Sequence, residues 1–293
     1  QDLPIISPHG HVPAQWLAED TAFGDPTSLL ITPDHYVTRL LHAQGVSLDE
    51  LGVGRDLSAD QSRAAFRILC NHWSAFRGTA VQYWLEGQLA DVFGLDVQPG
   101  PDTTDAIYDA IDAALQTPPF RPRALHDRFC IECLATTDDP ADDLRYHRTL
   151  TEWHGTVAPT FRPDRYLEPG RPGWVADVGR LGEVAGVDTG TYTGWVAAME
   201  SRREFFKDHG AVSTDHSHRD ARMERLAPAE VERLYSAAQS GRITQPEADT
   251  LRRHFMFEQA RMAADDGLVM TLHPGVHRNH HAPTHEAFGT DVG

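Results

Sequence analysis

The sequence predicts an α/β protein of the (β/α)8 TIM-type barrel kind, with a helical insertion after the first strand. Three observations predict it. Short apolar runs of strand type alternate with longer helical stretches, each run ends in polar or charged residues, and the stretch 33–125 shows helical periodicity with almost no strand signal. Repeated βα units argue for a parallel sheet, and a barrel of this kind gathers its strand ends on one face. The organisation that follows is 1–32, the first strand and its loop; 33–125, the helical insertion; and 126–293, further βα units.

The first run, Leu3-Pro4-Ile5-Ile6-Ser7, reads as a buried strand delivering Pro8-His9-Gly10-His11 at its C-terminal end. Thr32-Pro33-Asp34 marks a capped helix start, and helices are expected over Asp60 to Cys70 and Ala80 to Phe93. Later strand runs are Phe129 to Ala135, Val157 to Phe161, Ala211 to Ser213 and Leu268 to Leu272. They deliver Thr136-Thr137-Asp138-Asp139, Arg162-Pro163-Asp164, Thr214-Asp215-His216 and His273-Pro274-Gly275 at their ends. Arg162 to Gly182 is rich in Pro, Gly and Arg and reads as a loop, as does the polar tail after His273. These runs make five strands where a barrel needs eight, so the closing C-terminal strands are expected to lie outside these 293 residues.

Composition narrows the function classes. The fractions of 40% hydrophobic and 24% charged residues are those of a folded globular protein. No run approaches the roughly 18 apolar residues of a spanning helix, so neither a membrane nor a secreted protein is expected, and a cytoplasmic location is. A net charge of −17 repels phosphate backbones, which argues against nucleic-acid partners and requires local Arg or metal to hold an anionic substrate. Three cysteines make no disulfide framework, and Cys130-x-x-Cys133 sits in an apolar run and reads as core.

His9-x-His11 ends the opening strand, and period-two alternation puts both imidazoles on one side, able to bind one divalent metal. The pattern alone is common; what raises it is the company of Asp138, Asp215 and His273 at other strand ends, which a barrel would converge into a His and carboxylate site suited to zinc. His35 and Tyr36 read locally as first-turn surface residues behind the capping Asp34. Arg162 directly follows a strand and either clamps a carboxylate or pairs with Asp164; local sequence leaves both open. His273, His277, His280, His281 and His285 read as one site residue followed by a His-rich loop.

Six segments spread over nearly the whole chain, in the same order, resemble the uronate isomerase (glucuronate isomerase) family of the amidohydrolase superfamily. They are Pro8-His9-Gly10-His11, Asp34-His35-Tyr36, Phe76-Arg77-Gly78-Thr79 with Tyr83-Trp84-Leu85-Glu86, Ala135 to Pro140, Pro159 to Asp164, and Leu272 to Val276 with Arg278-Asn279. The resemblance implies a barrel of the amidohydrolase kind that interconverts D-glucuronate and D-fructuronate, and D-galacturonate and D-tagaturonate. It implies His9 and His11 as metal ligands, Tyr36, His35, Arg162 and Asp215 as catalytic residues, and Arg162, His273 and Arg278 as substrate-binding residues, with the match weakest around Asp215. A divalent metal, zinc foremost, is the implied cofactor and a small hexuronate the implied partner, with a homo-oligomer left open. The family's further metal-binding Asp and catalytic Arg belong to a final strand that these residues do not include. A metal-dependent hydrolase on the same barrel, and a non-catalytic His-rich metal-binding protein, are the competing readings.

Overall fold

In the computed structural model of the chain, residues 3–218, 220–274, 279–289 and 292 are described. The elements in chain order are β1 (Ile5–Ser7), α1 (Ala14–Glu19), α2 (Pro26–Leu30), α3 (His35–His42), α4 (Ala59–Asn71), α5 (Ala80–Gly87), α6 (Thr104–Leu115), α7 (Pro122–Arg128) and β2 (Ile131–Ala135). They continue as α8 (Arg145–Thr149), β3 (Thr156–Ala158), α9 (Trp174–Ala185), α10 (Tyr192–Asp208), β4 (Ser213–His218), α11 (Pro228–Gln239), α12 (Gln245–Asp266), β5 (Val269–Pro274) and α13 (Ala282–Phe288). Two compact units result: Gln1–Glu19 with His126–Val276, and Asp20–Leu125 with His277–Gly293.

The first unit carries all the strands found among the described residues, every pair parallel and in chain order. β1 pairs with β2 and β2 with β3, while β4 and β5 pair residue for residue from Ser213 opposite Val269 to His218 opposite Pro274. Phe161 joins the two groups through single parallel bridges to Asp138 and to Thr214. Parallel neighbours need crossovers, which the intervening helices supply. α12 starts where Thr244 and Glu247 satisfy each other's backbone donors, and it stops at Gly267, whose φ of 80° suits a residue without a side chain. Trp174, Trp195, Phe206, Tyr235 and Phe255 from α9 to α12 fill the core under the sheet, the rings of Trp195 and Phe255 stacking at 4.2 Å.

Phe161 is fully buried and meets Phe206 edge to face at 5.2 Å between ring centroids. Because its backbone also bridges the two strand groups, Phe161→Ala should lower unfolding free energy by about 3–5 kcal/mol, the usual range for emptying such a site. A urea denaturation midpoint equal to that of the unaltered protein would contradict this.

The second unit is helical, without a strand among the described residues. Its helices bury one stripe each: Ser62, Ala65, Phe66 and Leu69 on α4, and Ile107, Tyr108, Ile111 and Leu115 on α6, the spacing of a 3.6-residue period. Asp34 caps α3 by accepting from the backbone N–H groups of Tyr36 and Val37. Phe288 and Val292 pack against this core.

Several expectations change. β1 is not buried: Ile5 and Ile6 are 47% and 63% exposed, because among the described residues the strand pairs on one side only. Pairing in β4 and β5 continues through the polar residues, so Asp215 and His273 lie inside strands and not past their ends. The stretch read as a loop to Gly182 is helical from Trp174, where Trp174, Val178 and Leu181 bury a stripe, and the tail contains α13. Cys130 is exposed, at φ 53° in the turn before β2, and Cys133 is half-buried, so the pair is not core.

Two buried histidines set a pH dependence. His147 reaches the Thr136 hydroxyl at 2.9 Å, and His254 Nδ1 accepts the Leu226 N–H at 3.2 Å while Nε2 meets the Tyr192 hydroxyl at 2.9 Å. Burial, ahead of any charged neighbour, holds both imidazoles below the ordinary histidine value. The unfolded chain therefore takes up more protons than the folded one once pH falls below about 6.5, and stability declines with falling pH. Melting temperatures of His254→Gln and unaltered protein, compared between about pH 7.5 and 5.5, should show a smaller decline in the variant; equal declines would remove His254 from this account.

Candidate functional site

β1 ends at Ser7, so His9 and His11 lie in the loop that follows and not on an alternating strand. Their rings are nonetheless close, with centroids 4.8 Å apart in an edge-to-face arrangement. The loop lies tight against the end of β2. The Thr137 hydroxyl donates to the Gly10 carbonyl at 2.8 Å, and a Cβ at Gly10 would stand 3.0 Å from the Ala135 carbonyl oxygen, so a side chain between the histidines would have to push the end of β2 aside.

On the paired strands, Asp215 stands opposite Thr271 and Ser217 opposite His273. Period two therefore sets all four on one face. Asp215 is fully buried, and charge gathers around it: His273 Nδ1 at 2.7 Å from Oδ1, Arg162 Nη1 at 3.4 Å and His9 Nδ1 at 3.7 Å from Oδ2. Thr271 donates its hydroxyl to Oδ1 at 3.3 Å. Arg162 also donates from Nε to Asp164 at 2.9 Å, the structural pairing that the sequence left open, so one guanidinium faces two carboxylates of the chain.

His9, Asp215 and His273 form a group able to hold a metal ion, with one ligand atom from each lying within 4.8 Å of the others. The donor chemistry fits a divalent cation. His9 Nδ1, His273 Nδ1 and Asp215 Oδ2 are buried, and none has an aligned hydrogen-bond partner, the short His273 to Asp215 approach included. Polar atoms left so are costly, and a cation between imidazoles and a carboxylate satisfies all of them together. Desolvation of its ring first, and then His9 and Arg162 nearby, lower His11, an exposed residue outside this group, from the ordinary histidine value.

Asp138 does not join this group. Its carboxylate accepts from the Thr136 hydroxyl at 2.6 Å and the Thr160 N–H at 3.1 Å, and stands 3.8 Å from His147. Burial raises its carboxyl above the usual range. Arg278 lies outside the described residues. His35 and Tyr36 belong to the helical unit, where they open α3; the Tyr36 ring is 51% exposed, 4.4 Å from His35 and 6.2 Å from Trp84. Asp164 was legible in the sequence only as a partner for Arg162. The structure adds that both of its oxygens face the Ser217 N–H, at 3.0 and 3.1 Å, a contact across two strand ends that no local pattern reports. Its carboxyl is raised by burial, against the opposing pull of Arg162 and Ser217.

Parallel strands joined by helical crossovers, with imidazoles and a carboxylate brought together along and beyond them, define an α/β protein with a group able to hold a metal. The chain belongs to the glucuronate isomerase family, whose pattern matches residues 1–293. It is 54% identical over 295 residues to the uronate isomerase of Cutibacterium acnes and 46% identical over 293 residues to that of Rhizorhabdus wittichii, covering 99% of this chain in each case. All of the chain superposes on the crystal structure of glucuronate isomerase from Caulobacter crescentus, with a TM-score of 0.95 at 40% identity. The uronate isomerase of Thermotoga maritima gives 0.93 at 28% identity. The chain spans 62–63% of the length of the two curated relatives and 62–64% of the two solved chains. No helix among the described residues is long and apolar enough to cross a membrane.

Proposed function

We propose that the protein interconverts D-glucuronate and D-fructuronate, and D-galacturonate and D-tagaturonate, by moving a proton between C2 and C1 through an enediol. The observation that carries the reading is the group of His9, Asp215 and His273 beside Arg162, in a chain whose curated relatives are uronate isomerases. The five parallel strands in chain order support a second element of the proposal, that they are the first five of a (β/α)8 barrel with 33–125 inserted after the first.

Zinc is the proposed ion, with His9 of the opening pair, Asp215 and His273 as its donors and His11, the pair's second histidine, beside His9. When bound, it supplies positive charge against the enediolate and a template for the sugar's oxygens. Tyr36, held as a phenolate by the arginine that the resemblance places in the final strand, takes the proton from C2 and delivers it to C1, while a hydroxyl proton passes from O2 to O1. Arg162, His35 and Arg278 bind the carboxylate and hydroxyl oxygens, His273 being given to the ion in place of the substrate role that the resemblance implies, and the guanidinium of Arg162 holds negative charge without itself losing a proton. A cation at this place also answers the electrostatic problem of a chain at −17, which otherwise repels a uronate.

The test is a proton NMR time course of D-glucuronate in D2O with zinc-supplied full-length protein. Loss of the C2 proton signal together with growth of fructuronate supports the reading. A substrate unchanged at C2 while lactones or amides are cleaved would replace it with metal-dependent hydrolysis.

A further inference from the structure

Asp164 stands between two strand ends and is held by one of them. The Ser217 N–H on β4 faces both of its oxygens, at 3.0 and 3.1 Å, and its Oδ2 accepts from Arg162 Nε at 2.9 Å. Arg162 follows the bridging Phe161, and its Nη1 reaches Asp215 at 3.4 Å. A guanidinium presents its donors as a rigid planar fork, so engaging Nε along one edge decides where the Nη end points. Without that anchor, an arginine side chain samples many rotamers and its charge is spread over them. The anchor is itself registered, because the Ser217 N–H lies two residues beyond the Asp215 N–H, which donates to the Phe161 carbonyl at 3.0 Å, on the same edge of β4. Pro163, with its restricted φ, is the single residue separating Arg162 from Asp164.

We infer that Asp164 is a positioning residue: it ties the Nε edge of Arg162 to β4 and so aims the Nη end at Asp215, where the substrate's oxygens are to be bound. The inference rests on the role given to Arg162 above. Asp164 touches no reacting atom in it and acts through Arg162 alone.

Guanidinium rescue in the full-length protein tests it. Arg162→Gly should lower kcat/KM for D-glucuronate about 100-fold, the scale of a lost charge-assisted clamp, and millimolar guanidinium should restore at least about tenfold of that by docking on Asp164. In Arg162→Gly/Asp164→Asn the same guanidinium should restore nothing. Asp164→Asn alone should raise KM for the uronate about tenfold at unchanged zinc content and melting temperature. Equal rescue in both backgrounds overturns the inference while leaving Arg162 its role, as does an Asp164→Asn loss fully accounted for by lost zinc or lost folded protein. Full activity in Arg162→Gly instead overturns the reading of Arg162 itself, a separate failure.

Discussion

Tyr36→Phe in the full-length protein is expected to abolish exchange of the C2 proton of D-glucuronate with solvent, by about 100-fold or more, while bound zinc stays at its ordinary level. The substitution removes one oxygen and keeps the ring, so the contacts of Tyr36 with His35 and Trp84 and the capping of α3 by Asp34 should survive. A residue that merely fills space would tolerate it, since the ring is half-exposed and pays no packing penalty for losing a hydroxyl. Exchange observed by proton NMR at more than about a tenth of the normal rate would remove Tyr36 from the proton-transfer role. Zinc measured by elemental analysis on the same samples separates a chemical effect from a metal effect.

Asp215→Asn should cost zinc affinity about 100-fold or more, measured by competition with a chromogenic chelator. The side chain keeps its shape and loses its charge. Asp215 is fully buried and is the single carboxylate in its group, with His9, His273 and Arg162 all turned toward it. An amide leaves the arginine's charge close to the imidazoles with Asp164 alone to offset it, which further opposes a cation. Affinity within about threefold of the unaltered protein would show that the ion is held without Asp215.

Much of this site was legible from residue order. His9-x-His11, Arg162 and His273 each follow an apolar run directly, and polar residues at the ends of parallel strands meet on one face of a sheet. Asp215 was harder to read, because its surroundings match the family pattern least, yet it is the residue that draws the others together. Asp138 shows the opposite error. It occupies the same kind of strand-end position, but its carboxylate is consumed by Thr136 and Thr160, so position alone overstated it. The helices at 174–185 and 282–288 were hidden by glycine, proline and histidine content, which weakens local helix signals that burial of Trp174 and Thr284 then overrides.

The sequence by itself determined the alternation of strand and helix, the helical character of 33–125, the net acidic charge, and the residue types available for a metal. These follow from periodicity and composition, which are properties of neighbours along the chain. Only the tertiary structure decided that His9, Asp215 and His273 share one place, that Arg162 serves Asp164 and Asp215 together, and that Asp164 is locked to Ser217. Apart from the near neighbours Arg162 and Asp164, those contacts join residues about 50 to more than 250 positions apart, and they depend on strand register, which is set by pairing across the sheet and not by any local pattern.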